Sequence, residues 1–130
     1  MYKAVTHGIR VTVEPRYLEE ESRPDEGRFF FAYSVEITNL TTERVQLKSR
    51  HWRIMDSTGK LQEVRGPGVV GKQPVLGPGE SFSYTSGCPL ETPDGTMAGT
   101  YTMASASGET FEAEIPAFSL DSPFVHRVVH

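Results

Sequence analysis

The amino-acid sequence predicts an all-β chain folded as an antiparallel β-sandwich. Three observations carry that reading. Apolar and polar residues alternate with period two along most of the chain, the pattern of strands with one face buried. Clusters of Gly, Pro, Asp, Asn and Ser break the alternation at short intervals. The three-to-four-residue apolar spacing of an amphipathic helix is missing almost throughout. A length of 130 residues suits a single domain, residues 1–130, and can bury a core without disulfides or metals.

The elements follow in order. GIRVTVEPRYLEE puts Ile9, Val11 and Val13 on one face. EEESRPDEG, residues 19–27, is acidic, broken by Pro24 and Gly27, and reads as a mobile loop. RFFFAYSVEITN sets Phe29, Phe31, Tyr33, Val35 and Ile37 against Ala32, Ser34, Glu36 and Thr38, a half-buried antiparallel strand. RVQLKSRHWRIMD starts with Val45 and Leu47 facing in, yet by Trp52 and Ile54 the apolar parity has switched. A β-bulge near Ser49 to His51 explains the switch, because one extra residue exchanges the faces. DSTGK turns the chain at Gly59 and KLQEV returns as a short strand. After a glycine-rich stretch, ESFSYTS alternates through Phe82 and Tyr84, GTYTMASAS through Tyr101 and Met103, and GETFEAEIPAF through Phe111, Ala113 and Ile115. SASGE between the last two is a hairpin turn. SLDSPFVHRVVH, residues 119–130, is read as a tail that packs locally through Leu120, Phe124 and Val125 or frays. About seven short strands at this spacing point to a sandwich of the immunoglobulin or fibronectin type III kind.

Composition narrows the function. Net charge is −4, which does not favour nucleic acid as a partner. The distribution is uneven: residues 44–72 carry Arg44, Lys48, Arg50, Arg53, Lys60, Arg65 and Lys72 against Asp56 and Glu63, while both flanks are acidic. Such a run is either a solvated face or a site for an anion or an acidic protein surface. A single cysteine, Cys88, excludes an internal disulfide and suits a reducing compartment. No secretory signal pattern and no apolar run of membrane-span length is visible, so a soluble, cytoplasmic protein is expected.

VRGPGVVGKQPVLGPGE, residues 64–80, holds Gly66, Gly68 and Gly71 in the spacing G-x-G-x-x-G. In a dinucleotide-binding protein those glycines precede a helix whose N-terminus faces the diphosphate. Here Pro74, Gly77, Pro78 and Gly79 follow and prevent a helix, and Gln73 after Lys72 breaks the P-loop pattern. Three readings stay open: a plain connection, a backbone nest for an anion built from Arg65, Gly66, Gly68, Gly71 and Lys72, or a rigid recognition loop. LGPGES is a Pro-Gly turn, type II, with Gly79 at the position needing positive φ.

The joint pattern RHWRI, VRGPGVVGKQPVL, PGESFSYTSG and TPDGTMAGTY strongly resembles the ApaG family, over nearly the whole chain from VTVEP to IPAFSL. The resemblance implies an immunoglobulin-like or fibronectin type III-like sandwich. It further implies a link to cobalt resistance and magnesium efflux, and genes lying beside one for a diadenosine tetraphosphate hydrolase. Related domains occur in eukaryotic F-box and DNA-polymerase-delta-interacting proteins, where protein–protein contact is the expected role. A diphosphate-binding role for Gly66, Gly68 and Gly71 is a suggestion within the family.

Catalytic and metal chemistry find little support. His126 and His130 have i, i+4 spacing but lie in the tail without a third ligand nearby. His7 and His51 stand apart, Glu112 and Glu114 fit an outer strand face, and Cys88 has no base beside it in sequence. No catalytic residue, metal ligand or cofactor is therefore expected. The expectation is a non-enzymatic protein-interaction module with a contact surface at Arg50, Trp52, Arg53, Val69 and Val70; the alternative is a diphosphate or nucleotide binder using residues 66–71. An exposed sheet edge could also pair two copies.

Overall fold

Nine antiparallel strands build two packed sheets in the computed structural model, which describes residues 1–124. The strands are β1 (Tyr2–Thr6), β2 (Ile9–Tyr17), β3 (Phe29–Asn39), β4 (Val45–Asp56), β5 (Leu61–Pro67), β6 (Val75–Leu76), β7 (Ser81–Leu90), β8 (Asp94–Ser105) and β9 (Thr110–Asp121). The first sheet has the order β1-β2-β3-β7; the second is β5-β4-β8-β9, with β6 also paired to β4. The fold class expected from the alternation is the one observed.

The core lies between the sheets and is filled by the residues whose parity marked them. Ile9, Val11, Val13, Phe31, Val35 and Ile37 face Leu47, Trp52, Met97, Tyr101, Met103, Ile115, Phe118 and Leu120, all nearly solvent-free. Trp52 sits at the centre with its ring 5.1 Å from Tyr33 and 6.0 Å from Phe118. Burying so many branched and aromatic side chains, at roughly 1.5–3 kcal/mol each, drives the sandwich together.

The structure extends several elements. β1 and the two-residue β6 bring the count above seven. β7 runs on through Gly87 to Leu90, and β5 continues beyond KLQEV through Gly66 and Pro67. The bulge in β4 falls between Leu47 and Ser49, one residue earlier than the sequence suggested, and a second interrupts β8 between Met97 and Gly99. Residues 19–27 are organised by a single 3-10 turn at Pro24–Glu26 and by buried Ser22, whose hydroxyl donates to the Leu18 carbonyl and accepts from the Phe30 N–H. The tail reading is corrected at its start: Ser119–Asp121 complete β9 and Leu120 is core, because the alternation continues past Phe118. Val125, His126 and His130 lie outside the described residues.

Along one side the sandwich closes on itself. The Tyr2 hydroxyl meets the Ser119 hydroxyl at 3.1 Å, and the Glu114 N–H donates to the Thr6 hydroxyl at 3.1 Å, so β1 covers the edge of β9. The other side keeps two outer strands, β5 and β7.

Candidate functional site

The glycine-rich connection from β5 to β6 is built on Arg50. After the β4 bulge, Arg50 has the same parity as Trp52 and Ile54, so its side chain leaves from the inner face near the end of the sandwich. Its cross-strand neighbours are Gly66 on β5 and the buried Tyr101 on β8. The Arg50 Nη1 donates to the carbonyls of Pro67 at 3.0 Å and Gly68 at 2.9 Å. A guanidinium bonded to two carbonyls is among the stronger hydrogen-bonded arrangements a neutral loop can have.

Each glycine of the G-x-G-x-x-G spacing then has its own geometric reason. A Cβ on Gly66 would lie 3.1 Å from both terminal nitrogens of Arg50, so the guanidinium plane rests on this residue. Gly68 has φ +60° and a Cβ there would stand 2.2 Å from the Lys72 carbonyl oxygen. Gly71 has φ +78° at the second central position of a two-residue turn. That turn is closed in both directions: the Val69 N–H donates to the Lys72 carbonyl at 2.8 Å and the Lys72 N–H returns to the Val69 carbonyl at 2.9 Å. Positive φ at both central residues, Val70 at +44° and Gly71, makes it type I′.

The same turn type joins β1 to β2, where His7 (φ +49°) precedes Gly8 (φ +76°). Histidine enters the left-handed region without much penalty; a β-branched valine there is a true outlier. Val70 is nonetheless 54% exposed, so burial does not explain its presence, while Val69 beside it is fully buried and anchors the turn.

The rest of the connection is tied to β4. The Gly68 N–H and the Gln73 side-chain amide both donate to the Lys48 carbonyl, each at 2.8 Å. The Gln46 amide donates to the Gln73 carbonyl, the Leu47 N–H to the Pro74 carbonyl, and buried Asn39 holds the Leu76 carbonyl through Nδ2. Gly79 takes φ +81° in a turn closed by the Glu80 N–H on the Gly77 carbonyl, as type II requires.

An anion nest needs several backbone N–H groups converging and free. Here Pro67 has none, the Gly68, Val69 and Lys72 N–H groups already have carbonyl partners, and the carbonyls of Pro67 and Gly68 are turned toward Arg50. Within residues 66–72 the Val70 and Gly71 N–H groups are the ones without an acceptor among the described residues. Arg65 and Gly66 lie within β5 rather than in the loop, and Arg65 reaches Glu63 at 3.8 Å. The five candidate residues are thus divided between strand β5 and the turn that follows it.

The expected contact surface is also redistributed. Trp52 and Val69 are 2% and 0% exposed, so both are core rather than surface, because the bulge rotates Trp52 inward and the turn folds Val69 under itself. Arg50 is committed to the loop carbonyls. Arg53 and Val70 do reach solvent, on different elements. What the sequence reading did not assemble is the set of exposed residues along this connection. Val70 (54% exposed) and Val75 (51%) are its exposed apolar side chains; Val75 lines a shallow cleft with Arg44 and Lys48, and exposed Lys72 closes the turn that carries Val70. None of these three cations has a carboxylate in salt-bridge reach among the described residues. The signal was available in part: all three belong to the basic third of the chain, and Val75 interrupts a polar stretch.

Reactive groups lie elsewhere and are subdued. Burial pushes the Cys88 thiol up to about 11. Burial also raises the phenols of Tyr33, Tyr84 and Tyr101, and the last two share a short hydroxyl–hydroxyl hydrogen bond. Among the described residues no three His, Cys, Asp or Glu side chains come together in a manner that could hold a metal ion. Among them, too, no helix is long and apolar enough to cross a membrane.

Comparison with known proteins adds the family. The profile of the ApaG domain matches residues 19–105. "Protein ApaG" of Methylobacterium sp. (strain 4-46) is 75% identical over 130 residues, covering 100% of both chains. "Protein ApaG" of Rhodospirillum centenum is 63% identical over 123 residues, 95% of each. The crystal structure of a putative ApaA protein from Bordetella pertussis is similar with a TM-score of 0.87 and 51% identity, covering 90% of this chain and 95% of that one.

Proposed function

The chain belongs to the ApaG domain family, and from that premise we propose that it is a non-enzymatic protein-interaction module. Its docking element is the connection between β5 and β6, with Val70 and Val75 as apolar contacts and Arg44, Lys48 and Lys72 as charged ones. The observation that carries this reading is Val70: an exposed β-branched residue held at φ +44° on the tip of a turn that Arg50 and the Lys48 carbonyl immobilise. Strain of that kind persists where the surroundings over-determine the backbone, and it concentrates at sites of use. A rigid tip also loses little freedom on binding, which favours affinity. The unpaired cations select a partner surface that is acidic around an apolar pocket.

The buried thiol and the paired tyrosines support the absence of chemistry in this reading: neither is poised to ionise near neutral pH. The cobalt and magnesium link implied by the family resemblance then runs through the partner rather than through an ion held by this chain.

The test compares the wild-type protein with Lys48→Glu/Lys72→Glu and with a control, Lys3→Glu/Arg10→Glu, on the outer face of the first sheet. Each is used for affinity capture from a native lysate with quantitative mass spectrometry. A protein lost with the first variant and kept with the control supports the docking element. Partners retained by both variants would refute it, and turnover of a diadenosine polyphosphate by the pure protein would refute the non-enzymatic reading.

A further inference from the structure

We infer that two copies of this chain pair antiparallel through β5, about a two-fold axis at Val64, into one continuous sheet. β1 shields β9, which leaves β5 and β7 as outer strands. β7 (SFSYTSGCPL) carries no charged side chain to select a register, and Gly87 and Pro89 interrupt it. β5 (LQEVRGP) is seven residues long, exposed along its length except for Val64 and Gly66, and charged at its middle.

The ladder to β4 shows which backbone groups are left over. Its two ends are marked by the Asp56 N–H on the Lys60 carbonyl and the Gly68 N–H on the Lys48 carbonyl. Stepping by two along the register from either end gives Gln62 with Ile54, Val64 with Trp52 and Gly66 with Arg50 as the pairs that exchange hydrogen bonds. Leu61, Glu63 and Arg65 therefore aim their backbone groups away from β4, at the open edge, while the Pro67 carbonyl is held by Arg50.

That edge is complementary to itself. With Val64 on the axis, Glu63 faces Arg65 of the second copy and Arg65 faces its Glu63. Each of these pairs exchanges both backbone hydrogen bonds and sets opposite charges side by side on the outer face. The flanking Leu61–Pro67 pair adds no backbone hydrogen bond, because Pro67 has no N–H and its carbonyl already accepts from Arg50 of its own chain. On the inner face Val64, already packed against the core, meets its own copy in a non-hydrogen-bonded pair, where side chains approach most closely. A register shifted by one pair brings like charges together or leaves the free groups unmatched. Natural edge strands are commonly blunted by lysines or inward charges; this one alternates charge in the order that matches its own reverse. The connection from β5 to β6 stays outside the pairing, so this inference stands apart from the docking reading.

Sedimentation velocity of the full chain from micromolar to about millimolar concentration tests it, combined with amide hydrogen exchange. The expected result is a concentration-dependent dimer in which the Glu63 and Arg65 amides gain protection with concentration, while Gln62, Val64 and Gly66 are protected throughout. Glu63→Arg alone and Arg65→Glu alone each turn two attractive pairs into repulsive ones and weaken dimerisation by about tenfold or more; the exchanged double variant Glu63→Arg/Arg65→Glu restores it. A monomer at every concentration overturns the inference. So does a dimer that is indifferent to both single variants, or one whose Glu63 and Arg65 amides exchange freely.

Discussion

Replacing Val70 by asparagine should make the protein more stable, although it deletes an apolar side chain. The left-handed conformation costs an L-residue roughly 1–2 kcal/mol, and most of all a β-branched one. Asparagine relieves most of that cost, and Asn-Gly is the preferred pair for a type I′ turn. The opposing loss is small, since Val70 is 54% exposed and asparagine covers a similar area. The net expectation is a gain of about 1 kcal/mol. For a chain of 130 residues that raises the melting temperature by about 3–5 °C. Urea titration should show a higher midpoint with an unchanged slope. Val70→Thr is the control: it is polar like asparagine but remains β-branched, so it should leave stability nearly unchanged. A Val70→Asn protein no more stable than wild type, or a Val70→Thr protein that gains as much, would show that the turn is not strained by branching. If the gain in stability comes with weaker capture of a partner, the strain and the contact reside in the same residue.

The neighbouring glycines should respond unequally. Gly68→Ala drives a Cβ to 2.2 Å from the Lys72 carbonyl at φ +60° and should destabilise by about 2–4 kcal/mol in urea titration, whereas Gly71→Ala, with open space around its Cα, carries only the left-handed cost of roughly 1–2 kcal/mol. Stability should also fall on the alkaline side. The Cys88 thiol has a folded pKa of about 11 against an ordinary 9.0, so its unfolded form ionises first; its contribution is complete below pH 9 and is lost as pH rises toward 11, in step with the raised phenols of Tyr33, Tyr84 and Tyr101. Thermal melts between pH 7 and 11 measure this, and a flat profile would contradict it. Addition of millimolar diphosphate, ATP or diadenosine tetraphosphate should produce no saturable amide shifts confined to Gly66, Gly68, Val69 and Gly71, because most donors of this loop are already engaged; saturable shifts there would restore the anion reading.

Much of the fold was legible because a period-two pattern maps directly onto one buried face. Phe29 through Ile37 and Phe111 through Ile115 pointed where their parity said, and even the β4 bulge announced itself as a parity switch between Leu47 and Trp52. What the pattern did not show follows from the same physics. β1, with Tyr2, Ala4 and Thr6 only half-exposed against the edge of β9, buries too little to leave a clear alternation. β5 is hardly buried at all, so nothing in its hydropathy revealed that it runs on to Pro67. Trp52 could be either plug or surface anchor until the bulge was placed, since a one-residue shift decides which face it takes. The exposure of Val70 and Val75 depends on how the connection folds back on β4, through Gln46, Gln73 and Lys48, and those long-range bonds leave no spacing in the sequence.

The glycine spacing shows why a motif needs its mechanism. In a diphosphate loop, glycines allow close approach of a ligand to converging N–H groups. Here Gly66 allows close approach of Arg50, Gly68 avoids the Lys72 carbonyl, and Gly71 completes a tight turn. The polarity is reversed as well, since the first half of the loop offers carbonyls to a cation supplied by the protein itself. An arginine of the chain itself holds the loop's carbonyls, and the strand that precedes the loop ends in a proline whose missing N–H costs nothing at an open edge. The same three glycines thus fit a loop locked from inside, with the one strained side chain, Val70, left pointing outward.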